Sequence, residues 1–289
     1  MLMQLTISGI SQGAIYALIA LSLTVVYRST TIVNFGHGDF VMAGAFLSYV
    51  LVVLLGVAFV PAAMLAVVAM FLLGLAFSRG LIRPIRGGPH IGFALMCISA
   101  GYVFRGIARI VWGREVLPMP RVFDIDPIFI GDLIITGDAI FILSTTAIML
   151  TVFFGVLALT DIGKMVQAVY QSARGAQLIG INVDRFNDFT WGIGAALGAI
   201  GGILIAPISL LHPDLGASFL IKGFAAMTLG GFGSLYGAVL GALILGLSEQ
   251  YAGAYIDSAL IDITAYLVIV LVLFLRPHGL FGRKAIVKV

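Results

Sequence analysis

Long apolar runs alternate with short polar connections along nearly the whole chain. A helix that spans the hydrocarbon core of a bilayer needs about 20 mostly apolar residues, and these runs approach or exceed that length. The pattern therefore predicts an all-α protein with about eight hydrophobic segments that crosses a membrane several times. The predicted segments are residues 5–27, 39–56, 61–77, 93–112, 138–158, 189–210, 222–248 and 258–275.

The composition supports a membrane protein without a separate soluble domain. Of 289 residues, 61% are hydrophobic and 10% are charged, whereas soluble domains have about 45–50% and 25%. Residues 1–289 are therefore expected to form a single transmembrane domain in contact with the lipid bilayer. The net charge is only +3, and no basic patch interleaved with aromatic residues suggests nucleic acid as a partner.

The distribution of charge predicts the orientation. The connection at 78–92 and the tail after residue 275 are basic and contain no acidic residue, so the positive-inside rule predicts that both are cytoplasmic. The acid-rich connection at 113–138 is expected on the opposite face, and the polar insert at 161–188 is then cytoplasmic. The basic residues concerned are Arg79, Arg83, Arg86, Arg276, Arg283, Lys284 and Lys288.

Two apolar segments contain polar, glycine-rich breaks. If all of the last three segments crossed the membrane, the basic tail would lie outside, so segment 222–248 is predicted to be broken or re-entrant at "TLGGFGSLYGA". The alternative is an ordinary helix that uses glycine for packing. A similar break occurs at 34–46, "NFGHGDFVMAGAF". Non-helical backbone at membrane depth is tolerated only where it is buried in protein or lines a wet cavity.

The two breaks suggest an inverted repeat. Transporters commonly place the translocation path at the interface between such repeats. The candidate path residues, two at each break, are Asn34, His37, Gly231 and Ser234.

Glycine also recurs at every fourth position in two segments. Such a stripe lets another helix backbone approach closely, either for static packing or for sliding during gating. The stripes consist of Gly194, Gly198 and Gly202, and of Gly233, Gly237 and Gly241.

The sequence lacks the motifs of covalent or nucleotide chemistry. It has no phosphate-binding loop, no H-E-x-x-H and no G-x-S-x-G, and its four histidines are too widely separated to suggest a metal site. We expect neither an enzyme nor a bound cofactor.

Arg105 and Arg109 are expected either to snorkel along one helix face or to face a pore. Glu249, Asp257 and Asp262 lie near the end of one segment and the start of the next, where water is close, and Asp39 opens the second segment. None is clearly at mid-bilayer depth, so no proton relay is evident.

The polar insert has the pattern of a short amphipathic helix. Met165, Val166, Val169 and Tyr170 share a helix face, and a second element, "GAQLIG", ends at Gly180 in a C-cap position. Such a helix either lies in the lipid headgroups or docks on a soluble partner. Basic residues are few and interspersed with acids, which favours the soluble partner.

Four stretches resemble one protein family. They are "QAVYQSARGAQLIGINVDRFN", "VNFGHGDFVMAGAF", "KGFAAMTLGGFGSLYGAVLGALILGLSEQ" and "LRPHGLFGR". The chain resembles the permease subunits of branched-chain amino acid ABC importers, and in particular the shorter, first-named permease of the heterodimeric pair. The resemblance extends over essentially the whole chain.

The resemblance implies a function and a set of partners. The insert would be a coupling helix seated on a separate ATPase, with core positions at Ala168, Ala176, Leu178 and Gly180. ATP and Mg²⁺ would be bound by that ATPase. The implied partners are a second related permease, two ATPase subunits and an extracytoplasmic substrate-binding protein, in a bacterial-type inner membrane.

Related importers of urea, short amides or aromatic compounds share the pattern. The alternatives from other classes are a self-contained secondary transporter or channel and a structural scaffold.

Overall fold

The computed structural model describes residues 2–31, 33–85, 87–120, 126–131 and 133–282. Within these residues the chain forms eleven α-helices and one two-stranded hairpin. The helices are α1 (Leu2–Thr30), α2 (His37–Tyr49), α3 (Phe59–Phe77), α4 (His90–Trp112), α5 (Gly137–Leu159), α6 (Asp161–Gln171), α7 (Ala173–Leu178), α8 (Val183–Ile205), α9 (Leu215–Gly230), α10 (Leu235–Tyr255) and α11 (Leu260–Leu275). The hairpin pairs β1 (Ile128–Ile130) with β2 (Leu133–Ile135). Arg86, Arg283, Lys284 and Lys288 lie outside the described residues.

The helices confirm the predicted all-α membrane architecture. Among the described residues, six helices are long and apolar enough to cross a bilayer. Two of them are extended by π-helical turns at Val50–Leu54 and Ser78–Ile82. The bent pair α9–α10 and the shorter apolar helix α11 account for the two remaining predicted segments.

Helix α1 forms the centre of the bundle. In its most apolar stretch, 89% of the residues are buried inside the chain, against 11% for α5. Helix α1 packs closely on α10 because glycines remove side chains from the contact: a Cβ added at Gly13 would lie 2.9 Å from the Cα of Leu243. Helix α5 instead presents most of its apolar surface outward.

The glycine stripe of α8 packs closely against α2. A Cβ at Gly202 would meet the carbonyl of Val41, and one at Gly198 would lie 3.2 Å from Nε2 of His37. In the second stripe, Gly241 meets the carbonyl of Ala226 where α10 packs on α9. Both stripes are closely packed in this conformation, and sliding during gating stays a prediction.

Segment 222–248 is broken where the sequence predicts it. Helix α9 ends at Gly230 and α10 begins at Leu235, and the pair is bent by 118°. Gly231 and Gly233 have φ of 103° and 77°, a region that favours glycine. Because the bend exceeds 90°, α10 runs back toward the end from which α9 starts. The alternative of one continuous helix is therefore wrong.

The insert, the basic connection and the C-terminal turn lie at the same end of the bundle. Arg79 Nε lies 3.2 Å from Oδ2 of Asp188, and this pair ties the basic connection to the start of α8. At the same end, the amide of Leu280 donates to the carbonyl of Leu229 at 2.8 Å, and so ties the C-terminal turn to the break. These three regions are the ones for which the charge pattern predicts a common face.

The β-hairpin packs against the start of α1. The side-chain amide of Gln4 donates to the carbonyl of Ile134 at 2.9 Å, and the amide of Ile134 donates back to Oε1 of Gln4 at 3.1 Å. The long first helix and the acid-rich connection are thereby joined at the N-terminal end of α1.

Candidate coupling element and translocation path

The insert folds as a helical corner. Helix α7 is capped by Ser172, whose Oγ accepts from the amide of Gly175 at 3.0 Å. Helix α8 is capped by Asn182, whose Oδ1 accepts from the amide of Arg185 at 3.0 Å. Gly180 ends the turn after α7 with φ of 89°. These caps satisfy backbone groups at closely spaced helix starts, so the corner has a defined shape outside the spans.

The corner has a small hydrophobic core of its own. Val169 of α6, Ala176 of α7 and Val183 of α8 are buried together, with Ala168, Ile181 and Phe186 packed around them. Ala176 is only 2% exposed, so its contacts are internal to this chain. The backbone of Gly163 packs against the carbonyl of Leu157, which fixes α6 to the end of α5.

The four residues proposed for the coupling element separate into two groups. Ala168 and Ala176 belong to the internal core, whereas Leu178 is 83% exposed and Gly180 lies in the exposed turn. Ile179, which is not among the four predicted residues, is 73% exposed beside Leu178. Leu178 and Ile179 are the most exposed large apolar side chains of the corner, and we call them the apolar tip.

Asn34 and His37 form a buried polar cluster at the first break. Nε2 of His37 is hydrogen-bonded to Oγ of Ser22 at 2.6 Å. The amide of Gly36 donates to Oδ1 of Asn34 at 3.0 Å. Both side chains are buried. The cluster therefore shapes the chain between α1 and α2 in this conformation.

Gly231 and Ser234 have structural roles at the second break. The backbone of Gly231 packs against the C-terminal turn, where a Cβ would lie 2.7 Å from the carbonyl of His278. Ser234 caps α10, because its Oγ accepts from the amide of Gly237 at 3.1 Å.

Aromatic side chains connect the two breaks. Phe35 lies 6.2 Å from Phe224, and Phe224 lies 5.9 Å from Phe232, measured between ring centroids. Phe35 adjoins Asn34 and Phe232 adjoins Gly231, so the rings link the neighbourhoods of both candidate pairs. A phenylalanine in or next to each break, Phe35 and Phe232, is the sequence signal that could have indicated this link.

The starts of α2 and α9 also meet. A Cβ on Gly38 would strike the carbonyl of Gly216, and a Cβ on Gly216 would strike the carbonyl of Gly38. The contact is reciprocal, as expected where two related broken segments face each other. The inverted repeat itself stays a prediction.

Neither arginine of α4 simply snorkels. Nε and Nη2 of Arg105 donate to the two carboxylate oxygens of Asp39 at 2.6 and 3.2 Å. Nη2 of Arg109 donates to the carboxylate of Asp214 at 2.7 Å. Asp39, which opens the second predicted segment, is 1% exposed in its ion pair. The two pairs join α4 to the starts of α2 and α9.

Glu249 is likewise buried rather than hydrated. Oη of Tyr16 donates to Oε2 of Glu249 at 2.7 Å, and Nζ of Lys222 donates to the same oxygen at 3.3 Å. The side chain of Glu249 is 1% exposed. A residue of α1, one of α9 and one of α10 thus share a polar contact inside the bundle.

Comparison with known proteins places the chain in a family. A family profile described as "Branched-chain amino acid transport system / permease component" matches residues 5–275. The chain belongs to this family. The resemblance of the four motifs is thereby confirmed.

Curated relatives match over nearly their full length. The chain is 29% identical to the high-affinity branched-chain amino acid transport system permease protein LivH of Salmonella typhimurium, over 99% of this chain and 97% of the relative. It is also 29% identical to the corresponding protein BraD of Pseudomonas aeruginosa, over 99% and 98%. A probable branched-chain amino acid transport permease of Methanocaldococcus jannaschii is 23% identical, over 92% and 88%.

A solved structure shares the fold. It is titled "PsaBC from Streptococcus pneumoniae in complex with Fab", and its matching chain superposes with a TM-score of 0.50 at 13% identity, over 94% of this chain and 91% of that chain. At this identity the similarity concerns the fold alone.

Proposed function

We propose that this chain is the transmembrane permease subunit of an ATP-binding cassette importer for branched-chain or other small apolar amino acids. The single observation that carries the coupling role is the apolar tip. Leu178 and Ile179 are 83% and 73% exposed on a capped helical corner outside the spans. Adjacent large apolar side chains on an otherwise polar insert are typical of a protein contact. The contact proposed here is a groove on a separate ATPase.

The membership in the family supports our proposal for the rest of the assembly. Two ATPase subunits bind ATP and Mg²⁺, a second related permease completes the path, and an extracytoplasmic binding protein delivers substrate. The insert and the C-terminal tail face the cytoplasm of a bacterial-type inner membrane. The path runs beside the two breaks, near Asn34, His37, Gly231 and Ser234. The names of the relatives favour branched-chain amino acids over urea, short amides or aromatic compounds.

The docking proposal is tested by placing a charge on the apolar tip. Leu178→Glu replaces an apolar anchor with a carboxylate, which we expect to weaken docking by about 3 kcal/mol, more than a hundredfold in affinity. The measurement is recovery of the ATPase with the tagged permease from detergent extracts. The matched control is Gln177→Glu, which places the same charge on the neighbouring exposed residue. Normal recovery of the ATPase with Leu178→Glu would exclude the tip as the docking surface.

The substrate class is tested in proteoliposomes that contain the whole importer. We expect ATP-dependent uptake of radiolabelled leucine that excess isoleucine or valine suppresses. Urea, acetamide and phenylalanine serve as the comparison competitors. Suppression by one of these compounds and not by isoleucine would assign a different substrate.

A further inference from the structure

Tyr170 joins the insert to two other parts of the bundle. It is the penultimate residue of α6, and the guanidinium carbon of Arg28 in α1 lies 4.7 Å from the centre of its ring. Its hydroxyl faces the break between α9 and α10, where a Cβ added at Gly233 would lie 2.8 Å from Oη. One side chain of α6 therefore contacts both the last turns of α1 and the second break.

The break is also held by contacts that do not involve Tyr170. The amide of Phe281 donates to the carbonyl of Gly230 at 3.0 Å, which anchors the C-terminal turn. The ring of Phe232 lies 5.6 Å from the ring of Tyr27 in α1. Gly233 has no side chain to deflect, so Oη of Tyr170 meets the backbone directly. Because the break is anchored by these contacts, movement of Tyr170 would displace α9 and α10 with it rather than only the loop between them.

Helix α6, which carries Tyr170, is itself packed firmly within the insert. Val169, the neighbour of Tyr170, is buried in the core that joins α6, α7 and α8. The apolar tip lies on α7 and the turn that follows it, beyond the same core. A displacement of the tip would therefore move α6 as part of one packed corner.

We propose that Tyr170 is a positioning residue that passes movement of the α6–α7 corner directly to the broken α9–α10 segment. The inference rests on the proposed coupling function and adds a second route to the covalent one through α5 and α8. From the break, the contacts of Phe232 with Phe224 and of Phe224 with Phe35 continue to the first break. A push on the corner thus reaches both breaks without bending a continuous span.

The test uses the complete importer with its ATPases in proteoliposomes. Tyr170→Ala is expected to reduce leucine uptake about tenfold while ATP hydrolysis continues. The ATP consumed per leucine therefore rises. Tyr170→Phe keeps the ring beneath Arg28 but withdraws Oη from Gly233, and is expected to show a smaller loss. Because Tyr170 is partly exposed, its truncation leaves no large cavity, and membrane abundance is expected to stay normal.

The matched control is Tyr102→Ala. Tyr102 is also an exposed tyrosine near an arginine, at 5.3 Å from the Cζ of Arg105, but it lies on α4. Tyr102→Ala is expected to leave the number of ATP molecules hydrolysed per leucine transported unchanged. Normal coupling in Tyr170→Ala would overturn the inference, and so would loss of the bound ATPase, which would make Tyr170 a docking residue. If the unmodified permease fails to retain an ATPase, the proposed function itself fails.

Discussion

Arg105 of α4 holds Asp39, the third residue of α2, through two hydrogen bonds of 2.6 and 3.2 Å. The carboxylate is buried, whereas the second pair of α4, between Arg109 and Asp214, is largely exposed. The two pairs lie one helical turn apart on α4. They offer a direct comparison of a buried and an exposed ion pair in one membrane protein.

Arg105→Met is expected to destabilise the protein by about 3–5 kcal/mol, because it leaves the buried charge of Asp39 without its partner. The double variant Asp39→Asn with Arg105→Met removes that charge and is expected to recover much of the loss. Arg109→Met, at the exposed pair, is expected to cost about 1 kcal/mol or less. Thermal unfolding in detergent, followed by size-exclusion chromatography, measures all three. Equal unfolding temperatures for the two single variants would contradict the burial argument.

The contact between Lys222 and Glu249 predicts strong coupling between these two residues. Lys222→Met alone leaves the buried carboxylate of Glu249 with the hydroxyl of Tyr16 but without a cation, so it is expected to cost more than the double variant Lys222→Met with Glu249→Gln. A double-mutant cycle on thermal stability should therefore give a coupling energy of about 1–3 kcal/mol. Additive effects would show that the two residues are not coupled in their contribution to thermal stability.

Ala176→Glu is expected to disrupt the helical corner rather than only its outer surface. The glutamate would enter the core shared with Val169 and Val183, where an unpaired charge costs several kcal/mol. We expect loss of ATPase binding together with faster tryptic cleavage at Arg174 or Arg185. Leu178→Glu, on the exposed tip, is expected to lose the ATPase without faster cleavage. Equal protease resistance of Ala176→Glu and the unmodified protein would contradict this account.

The reciprocal packing of Gly38 and Gly216 predicts intolerance to any side chain. Gly216→Ala places a methyl group against the carbonyl of Gly38, where only backbone movement can relieve the clash, at a cost of about 1–3 kcal/mol. The control is Gly106→Ala in α4, where a Cβ has nothing within 4 Å. That substitution is expected to be neutral or stabilising because alanine is the better helix former. Thermal unfolding of both variants decides between these expectations.

The orientation is tested by cysteine labelling in a Cys97→Ala background. Ala254→Cys, near the end of α10, is expected to react with an impermeant reagent added outside the cell. Arg174→Cys in α7 and Lys284→Cys in the tail are expected to react only from the inside, in keeping with the positive-inside rule. Labelling of position 284 from outside would reverse the proposed orientation of the tail.

The sequence by itself determined the features that depend on local pattern. The length of each apolar run predicts the spans, because the thickness of the bilayer sets that length. The four glycines at positions 230, 231, 233 and 237 predict the break between α9 and α10, since left-handed backbone favours glycine. The periodicity of Met165, Val166 and Val169 predicts α6, because residues three and four apart share one face of a helix.

Only the tertiary structure decided which distant residues meet. Asp39 and Glu249 lie near the ends of apolar runs in the sequence. The residues around them in the sequence do not show that Asp39 pairs with Arg105 and Glu249 with Lys222. Ala176 and Leu178 both fit the motif of the coupling element, but packing between α6, α7 and α8 buries the first and exposes the second. Contacts between segments depend on how helices cross and how closely glycine allows them to approach, and this information is spread over residues far apart in the chain.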